Sequence, residues 1–278
     1  KNDRNTHWFE DRGISATVVK TIGGELNNLP QYVPKRLLTP EEAVNGVPEL
    51  GQWAADCKFD MRNSPGYPYN KRPGKGKFPW FDELPTTTRK EYTPKPELME
   101  RVNKRIVKAM DGEVIDDSIW MDVRKDELRP IEKVKQGKTR IINAPPIDLM
   151  LAVGIFFGAF RLFFMHPKVC GFPSESMLGV NPVEIWPEFG LRLRSATATF
   201  GVDFTNFDAS KPPRLEEMCC EIVNEWYAEN TPYDNATLAI HNRIRKTLWY
   251  EFCHTTHIYE SLVYTSHCGF KSGVPVGF

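Results

Sequence analysis

Residues 197–210 read TATFGVDFTNFDAS, and this stretch sets the expectation for the fold of the whole chain. Apolar side chains alternate at Ala198, Phe200 and Val202, the period of a strand with one buried face. Asp203 falls where that strand should end. Such a strand delivers a carboxylate to its C-terminal edge, a common way to hold a divalent cation. Magnesium takes one or two carboxylates together with substrate phosphates and waters. Asp208 follows a Thr-Asn turn, at the expected start of a helix, where the N-terminal amides stabilise a carboxylate. Spacing alone does not separate this from the ordinary structural use of Asp at strand ends and caps.

Beyond this stretch, Leu215, Met218, Cys219, Ile222, Val223 and Trp226 mark one face of an amphipathic helix. A second helix is expected over about 235–252, with Leu238, Ile244, Leu248 and Trp249 inward, and then a strand over 258–265. Before the stretch, 173–187 read as a loop plus a short helix. The apolar run 149–160 lies in a helix over 145–165; as a run of about a dozen residues it is too short to span a bilayer and reads as buried. Leu98, Val102, Ile106 and Met110 recur every four residues from Pro96, and Gly112 closes that helix. Ile119, Met121 and Val123 alternate as a strand, and 138–142 form a second. Residues 62–96, rich in Pro and Gly, read as loop, and 1–60 as an extended arm with one short helix over 40–44, capped by Thr39. Helices and strands mix without βαβ regularity, which gives an α+β fold.

The chain has 278 residues and carries 36 Lys and Arg against 36 Asp and Glu, so any nucleic-acid surface must come from local clustering. Its six cysteines show no framework spacing, which fits a reducing compartment. Neither a signal peptide nor a transmembrane segment is expected in it. It begins without Met and stops in mid-pattern at Gly277-Phe278, as a fragment would.

Clustering occurs at two places. Residues 124–140, RKDELRPIEKVKQGKTR, hold seven basic residues against three acids on two expected strands and a turn. A charge run is usually a solvated face. Here it carries Ile131 and Val134, which look buried, and the turn 137–140 is suited to presenting cations to phosphate. A P-loop is excluded, because Glu132 stands where its first Gly belongs. The second cluster is NSPGYPY at 63–69, followed by Lys71, Arg72, Lys75 and Lys77. Basic residues interleaved with aromatics suit a nucleic-acid strand, which needs phosphate contacts and stacking planes. Ser272-Gly273 near the end is a weaker signal for ribose or phosphate.

In order, SPGYPY, KDELR-x3-KV-x2-GKTR, GVDFTNFDAS and SGVP resemble the RNA-dependent RNA polymerases of picornavirus-like positive-strand RNA viruses, from about residue 60 onward. The resemblance implies a right-hand polymerase: fingers over 1–195, and over 196–278 the start of the palm with a fingers insertion, ending before motif C. It implies that Ser64, Pro65, Gly66, Tyr67, Lys71 and Arg72 (motif G) touch RNA. Lys125, Arg129, Lys133 and Arg140 (motif F) would neutralise the nucleoside triphosphate, with Lys138 toward template or solvent. Asp203 and Asp208 (motif A) would be catalytic, Asp203 binding Mg2+, or Mn2+, and Asp208 holding the ribose 2′-hydroxyl with Ser272 (motif B). Implied partners are RNA template and primer, nucleoside triphosphates, a protein primer and other viral replication proteins. The implied location is the host cytoplasm, at membrane-associated replication complexes. Two departures stand out: the Gly-Asp-Asp of motif C is not in the chain, and Gly277 stands where motif B usually has Thr.

Three rival readings are weaker. His267-Cys268-Gly269 resembles a cysteine-protease loop but has Ser266 in place of its first Gly. Cys253, His254, His257, His267 and Cys268 offer zinc donors without finger spacing. A non-catalytic RNA-binding protein is the more serious alternative.

Overall fold

The structure, a computed structural model, describes residues 14–86, 89–167, 169, 177, 181–203, 211–267, 269 and 271. Its centre is α6, Ile147–Met165, of which 14 of 19 residues are buried. Each large apolar side chain buried there contributes about 1.5–3 kcal/mol. By length and composition α6 is the one helix among the described residues that meets the requirement for crossing a membrane, yet 78% of that window is buried inside the protein. The helix runs past the apolar run, as Arg is a good helix former, and Arg161 donates to the Cys57 carbonyl (3.4 Å).

Four helices close on α6. The first is α2, Pro40–Asn45, capped as expected: Thr39 Oγ1 accepts from the Glu42 amide (3.2 Å), and the Glu42 carboxylate accepts from the Thr39 amide (2.8 Å). Gly158 lets this region approach, since a Cβ there would lie 2.4 Å from Leu38. The others are α4 (Pro96–Met110), α8 (Pro213–Asn230) and α9 (Asn235–Cys253). α3, Gln52–Ala55, is a single turn beside them. On α8 the buried face is Met218, Cys220, Val223, Trp226 and Tyr227, while Leu215 and Cys219 are exposed. Leu238, Ile244, Leu248 and Trp249 of α9 point inward as expected.

Ions join three of these helices. Arg105 of α4, 1% exposed, donates to Asp148 of α6 through Nε (3.0 Å) and Nη2 (2.8 Å), and through Nη1 to Glu251 of α9. Breaking such a buried network leaves an uncompensated charge, so it fixes how α4, α6 and α9 meet.

A helix, α1 (Ile14–Asn27), stands within the 1–60 stretch that Gly23-Gly24 and several prolines make read as an extended arm. The helix is held by contact with α8: a Cβ on Gly23 would sit 2.4 Å from Glu225, and Asn230 donates to Asn27 (2.8 Å). A short hairpin, β1 (Phe81–Leu84) and β2 (Glu91–Pro94), interrupts the expected 62–96 loop.

The main sheet has strand order β4-β3-β5-β6. β3 (Ile119–Arg124) pairs antiparallel with β4 (Ile141–Ala144) and parallel with β5 (Thr255–Tyr259). β5 turns at Glu260, φ 53°, into β6 (Leu262–Ser266), so the single strand expected over 258–265 is a hairpin. α7, Pro182–Ser195, is longer than the short helix expected and exposes Trp186 and Leu191.

The strand expected over 198–202 does not form. Residues 196–203 are irregular and exposed, with Phe200 90% and Val202 69% accessible. A strand needs a neighbour for its amides and carbonyls. None of the described strands pairs with this segment, so its alternating pattern has no ladder to join.

Candidate nucleic-acid and nucleotide interface

The loop at 64–72 is built on α6. The Pro65 carbonyl accepts from the Ile147 amide (2.9 Å), the first residue of that helix. Gly66 has φ 74° and lies so near Pro145 that a Cβ would be 2.2 Å from its carbonyl oxygen, so only Gly fits. Ser64 Oγ accepts from the Gly66 amide (3.1 Å), and the Gly66 carbonyl from the Asn70 amide (2.9 Å). Tyr69 is buried edge-on against Trp80, whose indole N–H donates to the Tyr69 carbonyl (3.1 Å). This leaves Tyr67 and Lys71 outward, with the Lys71 ammonium 4.6 Å above the Tyr67 ring.

Two basic residues of this stretch do structural work. Arg72 lies 4.6 Å over the Trp80 ring and pairs with Glu97. Lys77, placed with the phosphate-facing cations in the sequence reading, is 2% exposed; its ammonium donates to the carbonyls of Asp60 (2.9 Å) and Asn63 (3.3 Å). Burial pulls its pKa down to about 8.

The basic stretch 124–140 joins β3 to β4, with the Lys125 amide donating to the Arg140 carbonyl (2.9 Å) just past the ladder. Its tip is not a plain turn: residues Ile131–Lys135 form a short helix, α5, closed by Gly137 at φ 67°. β4 starts at Ile141, three residues later than expected. Ile131 and Val134, which looked buried, are 59% and 47% exposed, because the tip projects beyond the sheet and no element covers it among the described residues.

Glu127 organises three of the four expected phosphate ligands. Lys125 (3.5 Å), Arg129 (2.9 Å) and Arg140 (Nε, 2.6 Å) all reach its carboxylate. The hydrogen bond from Arg140, then that from Arg129, holds its pKa down at about 2. Lys133 and Lys138 are exposed, with no ion pair among the described residues, and the Lys138 amide donates to the Lys133 carbonyl (2.9 Å). The sequence reading missed Glu127; the signal was an acid, next to Asp126, two residues from both Lys125 and Arg129.

A second acid braces the stem. Asp122 of β3, 4% exposed, accepts from Asn143 of β4 (2.7 Å), His257 Nδ1 of β5 (2.9 Å) and the Tyr264 hydroxyl of β6. All four strands of the sheet are thus tied to one carboxylate. His257 Nε2 lies 2.6 Å from Thr255 Oγ1, and burial lowers its pKa against the pull of Asp122, so the neutral ring donates to Asp122 and accepts from Thr255. With His257 so engaged, a zinc centre at 253–268 is not favoured; Cys268 lies outside the described residues, and no described group of three or more donors is placed to hold a metal.

The 64–72 loop touches the stem of the basic hairpin at two points. Gly66 abuts Pro145, directly after β4, and Asn70 Nδ2 lies 3.2 Å from the Met121 sulfur of β3. Asp203 is exposed and lies outside every described strand. It can offer one oxygen to a magnesium ion, which is less than a site; substrate phosphates or further donors would have to complete it. Asp208 and Ser272 lie outside the described residues.

The sequence profile of viral RNA-dependent RNA polymerases matches residues 17–276. The replicase polyprotein of Drosophila C virus (strain EB) is 30% identical over 96% of this chain, which spans 15% of that polyprotein. The genome polyprotein of human hepatitis A virus genotype IA is 30% identical over 81% of the chain and 10% of its own length. The fold matches a Sicinivirus 3Dpol RNA-dependent RNA polymerase with a TM-score of 0.70 at 23% identity, over 94% of this chain and 49% of that one. The chain therefore spans about half of that solved polymerase and a small part of the polyproteins. With its stitched loop at 64–72 and its basic hairpin at 124–140, this chain belongs to the viral RNA-dependent RNA polymerase family.

Proposed function

We propose that the chain supplies the fingers, over 1–195, and the start of the palm, over 196–278, of an enzyme that copies a positive-strand RNA genome by templated nucleotidyl transfer. The convergence of Lys125, Arg129 and Arg140 on Glu127 supports this reading most directly. Three cations are held ready around one carboxylate, and an entering triphosphate is a better-matched anion that can exchange for it. Lys133 at the exposed tip meets the phosphates first. The cations then offset charge growing on the leaving phosphates. The loop at 64–72 carries template RNA across Tyr67 and Lys71, beside the same entry.

Asp203 would hold Mg2+ or Mn2+, and the ion, when bound, would activate the primer hydroxyl and stabilise pyrophosphate. Asp208 and Ser272 would hold the ribose. The primer, RNA or protein, would come from the replication assembly, at cytoplasmic membranes of the host.

The test is magnesium-dependent incorporation by the complete polymerase. Arg140→Ala and Lys133→Ala should each lower kcat/KM for nucleotide about ten- to a hundredfold, the size of one charge-assisted contact, with little change in RNA affinity. Unchanged nucleotide kinetics would defeat the hairpin assignment. RNA binding without synthesis by the complete protein would favour the non-catalytic alternative.

A further inference from the structure

A cleft of about 430 Å3 opens between residues 56–62 and β2, on the side of the chain that leads into the 64–72 loop. That volume is within the roughly 300–1,000 Å3 of small-ligand sites. Its floor is apolar: Val44, Phe59 and Met61 are buried beneath it. One wall is aromatic. Phe78, 39% exposed, and Tyr92 meet edge to face with centroids 5.8 Å apart. The wall is pinned, because Asn45 donates to the Tyr92 carbonyl and accepts from the Tyr92 amide, both at 2.8 Å. The floor is pinned too, by the Phe59 amide on the Val44 carbonyl (2.8 Å).

The rim is basic. Lys58, Arg62, Arg89 and Lys90 line it against Asp56 and Asp60. Arg62 is shared with Asp60 (3.3 Å), Arg89 with Glu91 (2.8 Å) and Lys90 with Glu83 (3.2 Å). Lys58 is exposed and has no ion pair among the described residues. A preformed aromatic wall under a cationic rim suits a planar, apolar group carrying an anion. A nucleotide has that chemistry: a base stacks on the ring and a phosphate meets the cations. Inside a duplex both faces of each base are already stacked, so an unpaired nucleotide fits and a duplex interior does not. Lys77 ties the carbonyls of Asp60 and Asn63 together, so the cleft edge and the loop form one rigid piece.

We propose that this cleft is a subsite for one unpaired nucleotide of an RNA strand, its base on Phe78 and Tyr92 and its phosphate toward Lys58, Arg62 and Lys90. This rests on the reading of the 64–72 loop as an RNA-binding loop and extends that path by one nucleotide.

The experiment is a fluorescence-anisotropy titration of the chain with a short labelled oligouridine at two salt concentrations. Phe78→Ala should weaken binding roughly five- to a hundredfold, the loss of one base stack. Phe78→Trp should keep it. Lys58→Glu, at an exposed and unpaired position that puts folding at no risk, should weaken binding and flatten the salt dependence. A blunt RNA duplex should bind all four proteins alike. If Lys71→Ala weakens binding while Phe78→Ala and Lys58→Glu match the parent, the cleft is refuted and the loop stands. If the parent binds no oligouridine at all, the loop reading falls and the cleft with it. If Phe78→Ala fails to fold, Lys58→Glu decides alone. If inorganic phosphate displaces the RNA and Phe78→Trp and Phe78→Ala behave alike, the cleft is a simple anion site and the nucleotide assignment is wrong.

Discussion

Two stretches that carry the same family likeness differ sharply in how they are built. The basic hairpin is braced at its stem by Asp122, at its base by the 64–72 loop, and at its cations by Glu127. The stretch leading to Asp203 has alternating apolar residues, yet Phe200 and Val202 lie in solvent. The difference is one of partners. A binding surface for phosphate needs cations on a scaffold, and this chain contains that scaffold. A metal-bearing strand needs a ladder on at least one side, and no described strand offers one. Local pattern specifies what a segment can bury; it does not supply the neighbour that buries it.

The largest effect should come from the unbraced side. Asp203→Asn in the complete polymerase should lower synthesis with every nucleotide roughly a thousandfold or more, since a carboxylate on the metal is worth several kcal/mol. Its side chain is exposed, so stability should change by no more than about 0.5 kcal/mol. A large loss of stability in thermal melts, with synthesis spared, would mean that Asp203 is structural.

On the braced side the largest effect should be on folding. Asp148→Ala removes the partner that takes two hydrogen bonds from Arg105 inside the core. A buried charge left short of its counter-ion costs about 3–5 kcal/mol, which urea denaturation would read. A loss under about 1 kcal/mol would show that Glu251 alone suffices.

Much of this was legible beforehand. The helices from Pro96 and from 235 have strong periodicity, and the Thr39 cap has its own chemistry. Lys125, Arg129 and Arg140 were legible because a run of cations around a Gly turn is a local feature. Glu127 and Asp122 were not, since what matters in each is which distant side chains arrive. Lys77 was misread for the same reason: a Lys in a loop looks solvated until tertiary contacts bury it. Ile131 and Val134 erred the other way, apolar residues with nothing to cover them.

The stem brace should show a smaller effect with a pH signature. Asp122→Asn weakens charge-assisted bonds from His257 and Tyr264 and should cost about 1–3 kcal/mol. His257 has a lowered folded pKa, so the folded state resists the proton that the unfolded chain takes up. Unfolding then binds protons once pH drops below about 6.5, and stability falls with acidification from there until the folded ring itself titrates. A parent protein whose stability curve is flat between pH 7 and 5, by denaturant titration, would mean that His257 is not buried neutral.

The smallest effect on folding should come from Glu127→Gln, yet it sharpens the comparison most. Glu127 sits on the projecting hairpin, half-buried under its own exposed cations, and salt screens these pairs, so the substitution should move the melting temperature little. If Glu127 only stabilised the fold, nothing else would change. If it holds three cations ready for an incoming triphosphate, Gln frees them from a competing charge while disordering their placement. KM for nucleotide should therefore shift, with RNA affinity unmoved. The carboxylate also sets an acid limit. Its folded pKa, about 2, is below the usual value of 4.5, so its contribution is complete above 4.5 and is lost as pH falls toward 2. Glu127 hence stays ionised between pH 6 and 8, and nucleotide binding by the parent, followed by anisotropy, should not change through its titration there. A Glu127→Gln enzyme with parental KM would leave the cluster as surface charge and move the phosphate contacts to the exposed Lys133 and Lys138.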